Sequence, residues 1–314
     1  MAEFHVSELQ KQSKFVDLQK YGYKPLEIED KDTFNKKLTH ISPIISEFTF
    51  TNLWMWRDYY QFAWKQLEDT SIILVSLHDP TKLIAFPVIG DDYDQVIPEL
   101  EQFKVGLNLP VEIHRVPELD VKKIQSKYSD AKIFEDRDDW DYVYKRENLV
   151  NLSGGSYETI RRKLNKFNKE YPIRLESLTT KNAKFCLELQ EEWCNLRSCS
   201  DTPSLENEDK AIRDILLNIE KLNIVGFLVF HNDRLIGYSI GEPLNSNTFV
   251  IHVEKGNTDY FGLYQVLNQI FAEKYAVGFE YINREQDLGI EGLRRSKESY
   301  HPSKYVKKYI VQLN

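Results

Sequence analysis

Several signatures of common function classes are missing from these 314 residues. No apolar run approaches the ~20 residues a helix needs to cross a bilayer. The longest, such as Ile72–Val75 and Ile224–Phe230, fall far short, so no integral membrane segment is expected. The opening residues, MAEFHVSELQKQSK, lack the apolar core of a secretory signal, which predicts a cytoplasmic protein. Cysteine is scarce: Cys186, Cys194 and Cys199 are odd in number and form no C-x-x-C pair. Neither a disulfide framework nor a zinc site is expected, and the thiols read as buried or idle. The seven histidines are scattered without H-x-x-x-H spacing. The acidic run DRDDWD at 136–141 lacks the glycine and closing glutamate of a calcium loop. No metal ligands are therefore predicted. G-x-S-x-G and the phosphate-binding P-loop are absent too, which removes the serine-hydrolase and nucleotide-hydrolase signatures. A formal net charge of −8 disfavours a generically basic nucleic-acid binder.

What is present describes a globular chain. Hydrophobic residues make up 41% and aromatic residues 13%, enough for packed cores, and the length suits two domains. Positive charge is concentrated locally, at Arg161, Arg162, Lys163, Lys166, Lys169 and Arg174, and again from Arg294 to Lys308. Such clusters read either as solvated helix faces or as a basic crevice suited to a phosphate-bearing ligand. The first twenty or so residues read as a loosely held arm. Beyond them, apolar spacing of period two and period 3.6 alternates in one order twice over: strand, helix, helix, three strands, helix, strand, helix, strand. Two mixed α/β units account for this, with a boundary near Asn148, giving repeats 1–147 and 148–314.

The stretch from Phe249 to Tyr300 gathers most of the chemically employed residues. Phe249, Ile251 and Val253 alternate with Val250, His252 and Glu254, predicting a strand. The loop KGNTDY follows, then helical spacing of Leu263, Val266, Leu267, Ile270 and Phe271, closed by Gly278. Phe279 to Ile282 make a short strand, ending in the polar run Asn283-Arg284-Glu285-Gln286-Asp287-Leu288-Gly289. In an open α/β sheet, such a strand end faces a ligand crevice. A guanidinium binds phosphate or carboxylate with two parallel hydrogen bonds, so Arg284 and Arg294 are candidate clamps. The rival readings are structural: Glu254 paired with Lys255, and Arg284, Glu285 and Asp287 pairing among themselves as a rigid turn.

The element order resembles the acyl-CoA N-acyltransferase-like (GNAT-like) fold in tandem. The segments HVEKGNTDYFGLYQVLNQIFA and YINREQDLGIEGLRRSKESYHP, with FTFTNLWMWRDYYQF, DYVY and the Arg161-Arg162-Lys163 helix upstream, are similar to the phosphatidylglycerol lysyltransferase C-terminal-domain family. The similarity runs from about Phe48 to the end. It implies an aminoacyl- or acyltransferase moving a group from aminoacyl-tRNA or acyl-CoA to a small-molecule or lipid-headgroup acceptor, with no tightly bound cofactor and with tRNA as a possible partner. In such a fold the acceptor attacks between the fourth and fifth strands. The resemblance thus implies Glu254 as general base and Tyr300 as proton donor to the leaving group. Lys255, Tyr260, Gly262, Tyr264, Asn283, Arg284, Glu285, Asp287, Arg294 and Lys297 would bind substrate or donor. The loop KGNTDYFG departs from the Q/R-x-x-G-x-G/A pattern that cradles the CoA pyrophosphate; only Gly262 is in place, at a helix N-terminus that attracts anions. Tyr300 reads equally as a packed aromatic capping a backbone group. A catalytically silent module that binds a phosphate-bearing ligand or a protein partner in the same crevice is the alternative.

Overall fold

The computed structural model describes residues 18–68, 71–90, 93–107 and 109–313, so most of the expected N-terminal arm lies outside the described residues. The chain divides into two units, each a mixed sheet flanked by helices. Strands β1 (Lys24–Pro25), β2 (Phe62–Leu67), β3 (Ser71–Ser76), β4 (Leu83–Ala85), β5 (Val111–Pro117) and β6 (Lys132–Glu135) belong to the first. Its helices are α1 (Lys31–Ile41), α2 (Phe50–Met55), α3 (Arg57–Tyr60), α4 (Tyr93–Leu107) and α5 (Glu118–Lys127).

The second unit carries β7 (Asp141–Lys145), α6 (Arg146–Asn151), α7 (Glu158–Glu170), β8 (Arg174–Ser177), α8 (Ala183–Arg197), α9 (Pro203–Leu217) and α10 (Ile219–Leu222). Then come β9 (Val225–His231), β10 (Arg234–Pro243), β11 (Thr248–Gly256), α11 (Leu263–Ile270), β12 (Tyr281–Asn283), α12 (Glu291–Glu298) and β13 (Lys304–Val306). The last strand, β14 (Lys308–Gln312), returns to the first sheet. The sheets run β1-β2-β3-β4-β5-β14-β6 and β13-β7-β12-β11-β10-β9-β8.

This exchange of closing strands moves the boundary. The second unit is Asp141–Tyr305, and the first comprises Met1–Trp140 with Val306–Asn314, in place of a clean division at 147/148. The cause is pairing. Val143, Tyr144 and Lys145 of β7 lie antiparallel to Asn283, Ile282 and Tyr281 of β12, while β14 pairs with β5 and β6. Each short strand sits in the sheet that the sequence order would assign to the other.

In the second unit, Phe249 and Ile251 of β11 pack with Leu263, Leu267 and Phe271 from the region of α11 in one buried cluster. The single helix expected before Gly278 changes pitch. After Ile270 it continues as a π-helical turn, Phe271–Tyr275, closed by the Ala276 N–H on the Phe271 carbonyl at 3.0 Å. The wider turn brings both Phe271 and Tyr275 against Phe227, at centroid distances of 5.8 and 5.0 Å.

The cysteine expectation needs correction. Cys194 and Cys199 form a disulfide with their Cα atoms 5.0 Å apart, and only Cys186 is a free, buried thiol. Ser198 takes a left-handed conformation (φ 50°) at the end of α8 and turns Cys199 back towards the last turn of that helix. Short-range backbone reversal, invisible to a count of cysteines, makes the pair.

Candidate active site

The site is set by where one ladder stops. Strands β11 and β12 run parallel only at Thr248–Tyr281, Phe249–Ile282 and Val250–Asn283. Beyond Val250, β11 continues to Gly256 along β10 alone. The strands therefore part, and the last third of β11 is paired on its β10 side alone.

A bulge decides which ones. Opposite the adjacent residues Ile240 and Gly241 of β10 stand Val253 and Ile251, so His252 is an extra residue in β11. One inserted residue reverses the alternation that follows it. Glu254 consequently shares a face with Ile251, and with Gly256, where an added Cβ would lie 2.9 Å from Leu263 of α11. Strict alternation would have put Glu254 on the opposite side from Ile251.

Around Glu254 the chemistry is compact. Its Oε2 accepts a hydrogen bond of 2.6 Å from Arg284, and both side chains are nearly buried. Its Oε1 is buried with no hydrogen-bond partner. The Arg284 guanidinium lies 4.9 Å from the ring centre of Tyr300. Tyr300 is buried, with its hydroxyl hydrogen-bonded to Gln265 of α11. Burial pushes its phenol up to about 12, with Arg284 pulling the other way and the Glu254 charge adding to the rise. Tyr264 is close enough for the Glu254 charge to help raise its phenol, after burial, and its hydroxyl donates to the Gly256 carbonyl at 3.3 Å.

The polar run after β12 is mostly self-contained. Asn283 donates to Asp141 at 2.9 Å and accepts the Glu285 N–H at 2.8 Å. Arg294 holds both oxygens of Asp287, at 2.9 and 2.8 Å, and Tyr142 donates to the same carboxylate at 2.6 Å. Burial opposes ionisation of Asp287, but these bonds and the Gly289 N–H prevail and hold its carboxyl at about 2. Lys297 is buried under the loop and donates to the carbonyls of Arg284 and Gln286. Burial first, and then the Arg284 charge, lower its ammonium to about 8.

Three expected binders stand elsewhere. Lys255 projects to the opposite face of β11, 3.6 Å from the ring centre of Trp193 and 3.0 Å from Glu208, and burial lowers its pKa. Successive residues of a strand face opposite ways, so Lys255 cannot join Glu254. Tyr260 belongs to an aromatic group with Tyr171 and His231. Gly262 is a packing glycine: at φ 94° an added Cβ would lie 2.6 Å from the Lys163 carbonyl of α7. Among the donors of that turn, the N–H of Leu263 bonds to Tyr260, and those of Gln265 and Val266 to Gly262.

Sequence reasoning assigned no role to His252, Gln265 or Asp141. His252 places its ring nitrogens 2.8 Å from Glu285 and 2.9 Å from Glu242, with the side chain wholly buried. Its one visible signal was a histidine two residues before the candidate base. No group of three or more histidine, cysteine or acidic side chains suited to a metal ion occurs among the described residues.

The two splayed mixed sheets, one after the other, define a tandem acyl-CoA N-acyltransferase-like protein. The match to the family Phosphatidylglycerol lysyltransferase, C-terminal, spans residues 39–312, and the chain belongs to that family. A conserved protein of unknown function from Bacteroides thetaiotaomicron is similar in structure, with a TM-score of 0.87 and 28% identity over 93% of this chain and 99% of the other. The C-terminal domain named for a lysylphosphatidylglycerol synthetase of Agrobacterium fabrum has the same fold, with a TM-score of 0.65 and 13% identity over 91% and 92% of the two chains. An uncharacterized protein of Mycoplasmoides gallisepticum is 26% identical over 77% of this chain and 79% of its own. No helix among the described residues is long and apolar enough to cross a membrane.

Proposed function

We propose that the second unit is a transferase that moves an aminoacyl or acyl group from an activated ester or thioester onto an amine or hydroxyl. The observation that carries this is the buried, unpartnered Oε1 of Glu254, held by Arg284 in the gap between β11 and β12. The acceptor, a small molecule or lipid headgroup, gives its proton to that oxygen as its nitrogen or oxygen bonds to the donor carbonyl carbon. As the carbonyl reforms, the bond to the leaving oxygen or sulfur breaks. The leaving atom takes a proton from Tyr300, whose phenol burial keeps protonated at neutral pH. The protons on Glu254 and from Tyr300 then balance through solvent.

Of the two donor classes, aminoacyl-tRNA suits the chain better than acyl-CoA. Three N–H groups at the start of α11, those of Leu263, Gln265 and Val266, bond to the chain itself, while Arg162, Lys166 and Lys169 of α7 are exposed and basic. The family's name also carries aminoacyl transfer. Such a donor points to work in the cytoplasm. The second reading, a silent binding module, draws on the ion pair that ties Glu254 to Arg284 and on the internal bonding of the 283–289 loop.

Two measurements separate these. Binding of charged tRNA is expected to weaken steeply with added salt, and binding of acetyl-CoA to be undetectable by calorimetry. Glu254→Gln and Tyr300→Phe are each expected to lower transfer by about a hundredfold, with a lowered melting temperature for Glu254→Gln, which leaves the Arg284 charge unpaired, and little change for Tyr300→Phe. Transfer undiminished in both variants would remove the assigned roles, and binding without turnover in the unaltered chain would favour the silent module.

A further inference from the structure

The ladder between β11 and β12 ends at Val250 and Asn283, and His252 is the first side chain beyond it to reach across. Its Nδ1 meets Oε1 of Glu285, in the loop after β12, and its Nε2 meets Oε1 of Glu242, on β10. A carboxylate accepts only, so a ring facing one at each nitrogen satisfies both contacts by donating twice, as an imidazolium. The ring is fully buried, whereas the two carboxylates keep partial exposure.

We propose that His252 is a positioning residue: a charged clasp that ties the loop after β12 to β10 and so keeps Arg284 against Glu254. The proposal rests on the Glu254 centre being the working site. Its warrant is the local backbone. Glu285 is held at a positive φ of 56°, with its N–H on the Asn283 side chain. In that tight turn, neighbouring side chains leave in different directions, Arg284 to Glu254 and Glu285 to His252. The second contact therefore sets the aim of the first.

The other polar groups at the loop hold its backbone and its far end. Lys297 binds the Arg284 and Gln286 carbonyls, Asp141 binds Asn283, and Arg294 binds Asp287. None of them fixes the Glu285 side chain to β10. Without the imidazolium, Glu242 and Glu285 would face each other as like charges across the splay. Burial disfavours the charged ring, but its bonds to Glu242 and Glu285 outweigh that and lift it to about 9. The clasp is therefore closed at neutral pH and releases as pH rises through about 9.

The test needs no substrate. Long-range nitrogen–proton NMR spectra of the full chain are expected to show both His252 nitrogens protonated at neutral pH, with titration near 9 rather than near the ordinary 6.5. Amide exchange at Arg284 and Glu285, corrected for intrinsic rate, is expected to be about tenfold faster in His252→Gln, with β9 and β10 unchanged. Protection of the two amides in the unaltered chain is expected to fall across that titration, a step the variant lacks. A neutral ring at neutral pH, or equal exchange in the two chains, overturns the clasp. Should His252→Gln not fold, the ring titration and the pH step in the unaltered chain decide alone. Failure of the transferase reading would leave these signals intact while Glu254→Gln changed no turnover, so the two failures are distinguishable.

Discussion

Replacing Gly262 by alanine distinguishes a packing glycine from an anion-binding one, and its cost can be worked from the structure. Gly262 sits at φ 94°, where an L-residue pays about 1–2 kcal/mol. The new Cβ would lie 2.6 Å from the Lys163 carbonyl and 3.1 Å from Cβ of Phe167. The nearer obstacle is helical backbone, so α7 and α11 must separate, and overpacking of that kind costs about 1–3 kcal/mol. Stiffening of the unfolded chain offsets roughly 0.4–1 kcal/mol. The net loss is about 2–4 kcal/mol, a fall in urea midpoint of roughly 1–2 M for the second unit at ordinary m-values. Urea unfolding followed at Trp193, stacked under Lys255 in this unit, measures it. A midpoint equal to that of the unaltered chain, together with weakened binding of a phosphate-bearing ligand, would refute the packing account.

Asp287 provides a pH-dependent test. Its folded carboxyl sits at about 2 against an ordinary 3.8, so its stabilisation is present above that ordinary value and is lost as pH falls through about 2. Asp287→Asn is expected to cost about 2 kcal/mol at neutral pH, and thermal melts at falling pH should converge with those of the unaltered chain; parallel curves would contradict the assignment. In the first unit, Lys308 is fully buried on both oxygens of Glu47, at 2.8 and 2.7 Å. Lys308→Met should destabilise by about 3–5 kcal/mol by taking both hydrogen bonds from the buried Glu47 carboxylate and leaving it the more distant Arg115, and adding Glu47→Leu should restore most of it; a double variant no more stable than the single one would contradict this.

The element order was legible because its signals are local. The apolar residues of Leu263 to Phe271 repeat at helical spacing whatever they pack against, and Phe227 to Phe230 read as a buried strand. The unit boundary was not legible, since β7 and β14 are both short apolar strands and nothing in either names the edge it will join. Pairing across more than a hundred residues is a property of the competing edges. At the site, proximity in sequence was a fair guide within the loop, where Arg294 reaches back seven residues to Asp287. Along β11 the bulge at His252 resets which residues share a face with Ile251, while the separation of Lys255 from Glu254 needs only ordinary alternation. Lys255 and Glu254 are neighbours in sequence and occupy opposite faces.

The two mixed sheets differ in how they close the charged group beside their parallel strand pair. In the first unit, the parallel pairing of β4 with β5 covers Leu83 to Ala85 against Val111 to Ile113, and the buried Arg115 lies just past it, at φ 60°. Its guanidinium donates to Asp139 at 3.1 Å and to the Tyr60 hydroxyl at 2.7 Å, and lies 3.4 Å from Glu47, which Lys308 already holds at both oxygens. Two cations meet two carboxylates, and the group is closed on itself. In the second unit, Arg284 holds one oxygen of Glu254 and leaves the other buried with no hydrogen-bond partner. An unsatisfied buried acceptor costs about 1–3 kcal/mol. The first unit shows how the same fold closes such a group with a second cation. In the proposed reaction the open oxygen of Glu254 is where a proton-donating acceptor would bind, and such an acceptor would recover that cost.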